Sequence, residues 1–474
     1  MIATRVHPIV KTAYGTGNFA TGVAMQILGT YLVFYSTAIL GLPGTLIGTI
    51  MGASIFWDAI TDPVMGYISD KTSHKGLGRR HPYMILGVLG IGITNYFVWN
   101  IQPSQNWQTT LAQLVLWVFL FKTFLTVYVT PYTALGAEMS LDYNERTVIQ
   151  GVKSVFFVLG LGFVSVAGLY WFFPSTPEFP SGQLNPHAYG TMALASSVII
   201  LLTGAIGIFP TLGTVEVIRK RSQAFVHKAP ANLWASLVRT YRNQPFRKVV
   251  LAYMFSNLSS ALLANMGLIV FTFTFKLGSA DIALIVGVQF FLAIVSQPAW
   301  AYLSSRYGKR RALIWGFTLS LLGACYFFTL VLFMENASGH PWYFMPFSLG
   351  TGAGIGALFT LPLSMVADTV DLDEARGGQR IEGVYFGALT FVYKFTQAIA
   401  LVFIGSFLDF AGFDSGLKIQ STDTRFLLGI VLSLGAMVSF TLSITQVRAY
   451  RLTEAQVQEC QEKIKAFQNS SAAH

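Results

Sequence analysis

Apolar residues run along nearly the whole chain in blocks of 18 or more, separated by short polar connections. A hydrocarbon core of about 30 Å takes roughly 20 apolar residues as a helix, and open strands or loops in lipid would leave backbone polar groups unpaired. The blocks therefore predict membrane-spanning helices at 13–39, 44–70, 82–102, 108–138, 147–173, 190–216, 247–275, 279–305, 311–334, 342–370, 381–410 and 424–447. Twelve spans make an all-α membrane protein.

The longest polar connection, from about Thr214 to Lys248, divides the spans six and six. This predicts two pseudo-symmetric six-helix bundles, 1–216 and 247–447, in the major facilitator arrangement. The linker, 217–246, holds Ala231-Asn-Leu-Trp-Ala-Ser-Leu-Val-Arg239, which suits a helix lying in the membrane interface. The tail, 448–474, carries Thr453-x-x-Gln456 as a capping box ahead of Val457, Cys460, Ile464 and Phe467 at helical spacing, and reads as a helix packed under the cytoplasmic face.

Composition agrees: of 474 residues 11% are charged and 53% apolar. The net charge of +10 raises the question of a nucleic-acid partner. Most Lys and Arg, however, lie in the N-terminus, the even-numbered connections and the tail; Lys276, Lys418 and Arg425 fall on the other side, and Lys122 and Lys394 within spans. That asymmetry sets orientation, with both termini cytoplasmic, and leaves no call for nucleic acid. The first apolar run is long enough to stay in the membrane, so no cleavable signal is expected. Cys325, in a span, and Cys460, in the tail, are not expected to pair. No nucleophile, phosphate loop or metal-ligand spacing argues for an enzyme, and no cofactor is expected.

Four charges lie well inside spans: Asp58, Asp62, Lys122 and Lys394. Each costs about 2.5 to 3.5 kcal/mol on insertion scales and by default marks an ion or substrate path. Asp58 and Asp62, four apart, share one helix face. Pro63 cannot donate to the carbonyl four residues back, which frees the Ala59 carbonyl oxygen, while Thr61 and Thr126 bring hydroxyls. Two carboxylates with neutral oxygens form a hard-ligand set suited to Na⁺ and workable for H⁺; the plainer alternative is a polar packing pair with the acids protonated. Lys394 is placed to meet the acids from span 11 as their charge partner. Lys122 either snorkels to the interface or offers a cation to an anionic group of the substrate. Asn257 and Asn265 in span 7, Gln289 and Gln297 in span 8 and Gln397 in span 11 either line a cavity for a polar solute or bond between helices. Asn18, Tyr132 and Thr390 are assigned to the same cavity.

An internal repeat limits where the ion chemistry sits. Asp62-Pro-Val-Met-Gly-Tyr-Ile-Ser-Asp70, followed by Gly78-Arg-Arg80, matches Gln297-Pro-Ala-Trp-Ala-Tyr-Leu-Ser-Ser305, followed by Gly308-Lys-Arg-Arg311. Asp62 becomes Gln297 and Asp70 becomes Ser305, so the acids belong to the N-terminal half. Asp70 with Arg79 and Arg80 reads both as a positive-inside loop after a tightly packed helix end and as a gate; the readings are compatible.

These segments resemble the glycoside, pentoside and hexuronide cation symporters, of which the melibiose carrier is one. The likeness rests on Trp57-Asp-Ala-Ile-Thr-Asp-Pro63, on Pro131-Tyr-x-Ala-Leu135 with Glu145-Arg-Thr147, and on Ala367-Asp-x-Val-Asp371 with Arg380-x-Glu382 and Lys394. It implies a cation site at Asp58, Thr61, Asp62 and Thr126, Lys394 as charge partner, and a cytoplasmic gate in which Lys153, Arg380 and Glu382 join Asp70, Arg79, Arg80, Glu145, Arg146 and Asp368. Where galactoside-transporting members carry sugar-gripping acids, this chain has Gly22 and Val129. The Asp-Ala-Ile-Thr-Asp-Pro run also resembles vertebrate lysophospholipid carriers. The expectation is Na⁺- or H⁺-coupled symport of a sugar, glycoside or related polar solute by a monomer in a bacterial inner or plasma membrane, with a Na⁺-coupled lysolipid transporter as the alternative.

Overall fold

The computed structural model describes residues 6–72, 74–102, 106–140, 143–216, 218, 240–376, 382–414, 417 and 419–472. Among the described residues every regular element is helical. Twelve helices are long and apolar enough to cross a membrane: α1 Pro8–Phe34, α2 Gly44–Lys71, α3 His81–Trp99, α4 Trp107–Glu138, α5 Tyr143–Gly162, α6 Pro186–Ile208, α7 Gln244–Ile269, α8 Ser279–Tyr307, α9 Lys309–Leu332, α10 Met345–Ala375, α11 Glu382–Phe410 and α12 Thr422–Arg448. A thirteenth, α13 Glu454–Ala472, forms the tail. The chain is an all-α polytopic membrane protein.

The helices exceed the predicted spans where polar turns continue past the lipid boundary, because hydropathy marks the bilayer whereas the helix ends where its backbone bonds lose partners. α1 thus starts at Pro8, with the His7 ring accepting the Ile9 N–H at 3.3 Å. Asn106 and Asn185 cap α4 and α6 in the same manner. Three helices run on into π turns, α1 at Tyr35–Ile39, α5 at Phe163–Gly168 and α7 at Val270–Thr274. A helix apolar all round carries no period from which such a change of register can be read.

Contacts divide the chain into two compact units. The first holds α1 to α6 with Lys276–Ala283 and Val402–Gln420; the second holds α7, the rest of α8, α9, α10, α11 as far as Leu401, α12 and α13. In the first, α1 packs on α5 and α6, α3 on α4 and α6, and α2 on α4. In the second, α9 packs on α10 and α12, and α7 on α12 and α10. Lipid offers no hydrophobic drive between helices, so close backbone approach does the work. At Gly22 a Cβ would lie 2.4 Å from the Phe157 carbonyl oxygen of α5, and at Gly354 of α10 it would lie 2.0 Å from the Ser320 hydroxyl of α9.

Two polar anchors escaped the sequence pattern. Pro43 gives α2 no side-chain cap; instead the Asp409 carboxylate, from the last turn of α11, accepts the Gly44 and Thr45 N–H groups at 2.7 and 2.8 Å, a favourable place for an anion. Arg425, 3% exposed, donates to the Phe273 and Thr274 carbonyls at the end of the α7 π turn and pairs with Glu335 at 2.5 Å. Its place outside the main basic distribution thus has a structural cause.

The tail helix begins with the expected capping box: the Gln456 side chain accepts the Thr453 N–H at 3.0 Å and the Thr453 hydroxyl accepts the Gln456 N–H at 3.4 Å. Gln461 donates to Asp371 of α10 at 3.0 Å, which joins the tail to the second unit. Val457 and Cys460 are half-buried. The side chains of Ile464 and Phe467, and the linker segment 231–239, lie outside the described residues.

Candidate functional site

Within the first unit α2 and α4 are joined by a ladder of polar contacts in which each member is repeated one turn on. The Trp57 indole donates to the Thr123 hydroxyl at 2.9 Å. Lys122 Nζ donates to Asp58 Oδ2 at 3.0 Å. One turn further, the Thr126 hydroxyl donates to Asp62 Oδ1 at 2.7 Å, and the Thr61 hydroxyl lies 3.4 Å from that of Thr126. Partners at 58 and 62 on α2 thus face 122 and 126 on α4, which requires the two helices to run in the same direction at matched register.

Pro63 sits inside α2 and Pro131 inside α4, so the Ala59 carbonyl loses its usual donor. Thr126 is 4% exposed, and the Asp58 and Lys122 side chains are 14% and 16% exposed. Carboxylate and hydroxyl oxygens are of the ligand type that a hard monovalent cation takes. Among the described residues no cluster of three or more His, Cys, Asp or Glu could hold a transition metal.

Lys122 is the partner that sequence reasoning did not weigh for the acids. The signal was there: α2 and α4 carry 58/62 and 122/126 at equal spacing. Pairing them needs the knowledge that the helices are adjacent and parallel. Lys394 lies half-buried on α11, in the second unit.

The residues assigned to a solute cavity are mostly taken up by packing. Tyr132 is fully buried, stacked on Tyr14 with ring centroids 4.4 Å apart, and its hydroxyl donates to the Tyr14 carbonyl. Asn18 donates to the Lys153 carbonyl at 2.9 Å. Asn257, Asn265 and Gln297 donate to carbonyls four residues back, those of Tyr253, Ala261 and Ala293, at 2.7, 2.9 and 3.2 Å. Gln289 bonds across to Thr351 of α10 at 2.7 Å. Gln397 bonds Tyr393, and the Thr390 hydroxyl donates to the Phe386 carbonyl at 3.0 Å. Gln289 makes the bond between helices that was the plainer of the two expectations, whereas Asn257, Asn265 and Gln297 bond within their own helix.

The residues assigned to a gate form two separate clusters of matching construction. In the first unit Arg80, ahead of α3, pairs with Asp70 at 2.5 Å and with Glu138, at the end of α4, at 2.7 Å, while Arg79 also reaches Glu138 at 2.9 Å. In the second, Lys309, opening α9, pairs with Asp368 near the end of α10 at 2.7 Å. Glu138 and Lys309 were not singled out from sequence. Glu145, opening α5, accepts from Lys11 at 2.7 Å, Ser140 at 2.6 Å and the Val6 N–H at 2.9 Å. Burial alone would raise its carboxyl, but these donors outweigh it and hold it below the ordinary Glu value. Lys153 donates to Thr133 at 3.1 Å. Arg380 and the side chains of Arg146 and Glu382 lie outside the described residues.

A family model described as MFS/sugar transport protein matches residues 13–454. The chain belongs to that family. It is therefore a transport protein and not an enzyme. It is 24% identical over 467 residues to the sodium-dependent lysophosphatidylcholine symporter 1-A of Danio rerio, covering 94% of this chain and 86% of that protein. To the inner membrane symporter YicJ of Escherichia coli (strain K12) it is 23% identical over 455 residues, covering 96% and 94%. The nucleoside transporter NupG superposes with a TM-score of 0.61 at 12% identity, covering 94% of this chain and 100% of that one, a likeness of fold alone.

These relatives correct the resemblance to glycoside, pentoside and hexuronide cation symporters: the chain aligns instead with sodium-dependent lysophosphatidylcholine symporters from fish, frog, human and chicken. The error has a physical origin. The motifs that carried the resemblance hold the charged residues of the ion side, whereas Gly22 and Val129 stand where a sugar site has acids. Gly22 lies against the α5 backbone, so no carboxylate fits there without moving that helix.

Proposed function

We propose that this protein is a Na⁺-coupled symporter of a lysolipid or similar amphiphile. The observation that carries the reading is the α2/α4 ladder, in which Asp58 meets Lys122 and Asp62 meets Thr126 with Thr61 beside it. A cation bound there offsets the cost of the carboxylates, and a membrane potential supplies about 2.3 kcal/mol per charge per 100 mV. The relatives named as sodium-dependent lysophosphatidylcholine symporters support the choice of ion and of cargo, as does the packing at Gly22. Transport proceeds by alternating access of two pseudo-symmetric six-helix bundles, 1–216 and 247–447, joined by the linker 217–246 and followed by the tail 448–474, with both termini cytoplasmic, in a monomer. Lys394 is the charge partner from the second bundle, and the clusters around Arg80 and Asp368 belong to the cytoplasmic gate.

The test is uptake of radiolabelled lysophosphatidylcholine and, in parallel, of a glycoside such as melibiose into proteoliposomes under imposed Na⁺ or H⁺ gradients. Na⁺-driven lysolipid accumulation, absent in Asp62→Asn, is expected. Glycoside accumulation with no lysolipid uptake would refute the cargo, and accumulation that persists in Asp62→Asn would refute the site.

A further inference from the structure

Two helices change company partway along their length. α8 belongs to the first unit as far as Ala283 and to the second beyond it, while α11 belongs to the second unit as far as Leu401 and to the first from Val402 onward. The first-unit ends are held by polar bonds. The Ser279 hydroxyl donates to the Phe173 carbonyl, and the Gln183 amide donates to the Leu277 carbonyl at 3.3 Å. On α11 the exposed Asp409 takes the Gly44 and Thr45 N–H groups of α2 at 2.7 and 2.8 Å. Beside it the two backbones nearly touch: a Cβ at Gly405 would lie 2.1 Å from the Gly44 carbonyl oxygen, and one at Gly44 would lie 3.0 Å from the Leu408 Cβ.

We propose that these bonds are a releasable latch with Asp409 as its positioning residue: Val402–Gln420 and Lys276–Ala283 are fastened to the first unit in this structure and come away from it in each transport cycle. The inference rests on the reading of the protein as an alternating-access transporter. Its basis is mechanical. A continuous helix passes displacement along its length, so α8 and α11 cannot keep both sets of attachments when the units move. The attachment that yields is the one whose loss costs least. Gly44 opens α2 and Asp409 stands in the last turn of α11, so the parted N–H groups and carboxylate sit at span ends, where water replaces the bonds they lose. The glycine crossing leaves no side chains to disengage. Pro43 brings α2 no side-chain cap of its own, so the first turn of α2 depends on the latch. The Arg80 cluster lies at the other end of this 28-residue helix, roughly 40 Å away. The latch is therefore separate from the ion pairs assigned to the cytoplasmic gate.

The test uses the full-length protein with Cys325→Ala and Cys460→Ala removing the native thiols. In proteoliposomes, Thr45→Cys and Asp409→Cys together are bridged by a short bifunctional methanethiosulfonate, and lysophosphatidylcholine uptake is measured before bridging, after it and after reduction. Uptake should fall to background on bridging and return on reduction. A cap that merely stabilises α2 tolerates the bridge, so uptake that survives complete bridging overturns the proposal, as does a pair that cannot be bridged. Leu408, 1% exposed and against Gly44, gives a second readout. In nanodiscs, alkylation of Leu408→Cys by a small water-soluble maleimide measures how often the segment lifts. Adding Asp409→Ala should speed it about fivefold, the effect of losing a helix cap, and Asp409→Asn should speed it less. An unchanged rate overturns the latch. If the protein takes up neither lysolipid nor glycoside, the transport reading falls, and the alkylation rates still decide whether Asp409 holds the segment. If uptake is Na⁺-driven yet indifferent to the bridge, this inference alone falls.

Discussion

At two matched places the halves of the molecule meet the same packing problem differently, one with charges and the other with neutral amides. Asp62 precedes Pro63 in α2 and takes a hydroxyl from α4; Gln297 precedes Pro298 in α8 and bonds the Ala293 carbonyl of its own helix. At the start of α1 and α5, Lys11 and the Val6 N–H meet Glu145; at the start of α7 and α11, Asn243 meets Tyr385 at 2.9 Å and the Thr369 carbonyl at 3.0 Å. One place keeps ions in both halves, the junction where Arg80 meets Glu138 and Lys309 meets Asp368. A buried charge costs more than a satisfied amide, and at Asn243 and Gln297 the second half makes its contacts with amides.

Arg80→Ala should have the largest effect on this balance. It leaves Glu138 to the more exposed Arg79 and removes the arginine, 8% exposed, that joins Glu138 to Asp70; loss of one partner from a buried pair costs about 3 to 5 kcal/mol, and the lower end is expected here, read as a lowered thermal unfolding midpoint. Gln297→Asp, which writes the N-terminal acid into the other half, should destabilise by about 2.5 to 3.5 kcal/mol; stability equal to wild type would mean that the second half also holds a cation-ready position. Lys309→Ala should cost less than Arg80→Ala, about 1 kcal/mol, because the lysine is 35% exposed and screening weakens such pairs. Equal losses would remove the distinction drawn between the two junctions.

The smallest effect concerns pH. The folded Glu145 carboxyl lies below its ordinary value, so its contribution is complete above that ordinary value and fades as pH falls through the lowered one. Limited proteolysis of the N-terminus should therefore accelerate on acidification. Glu145→Gln should flatten that dependence, while the Asn243 junction shows none.

The twelve spans were legible because lipid forces every backbone group into a helix and every helix into a long apolar run. The dyad was legible because charge in such a run demands a reason. Glu138 and Asp409 were not, since each sits at a helix end where an acid looks like ordinary surface, and their partners at 79–80 and 44–45 are distant in sequence. The solute-cavity assignments to Tyr132, Asn257 and Asn265 rested on polarity alone, and polarity inside a membrane is as often consumed by a carbonyl four residues back.

Sequence by itself determined the membrane class, the spans and the carboxylate pair, each a consequence of what hydrocarbon will not tolerate. Tertiary structure decided which helix stands beside α2, and with it that Lys122 meets Asp58 while Thr126 meets Asp62. Helix adjacency arises from glycine-sized approaches such as Gly22 on α5 and from hydrogen bonds between residues far apart in the chain, and neither leaves a period in the sequence.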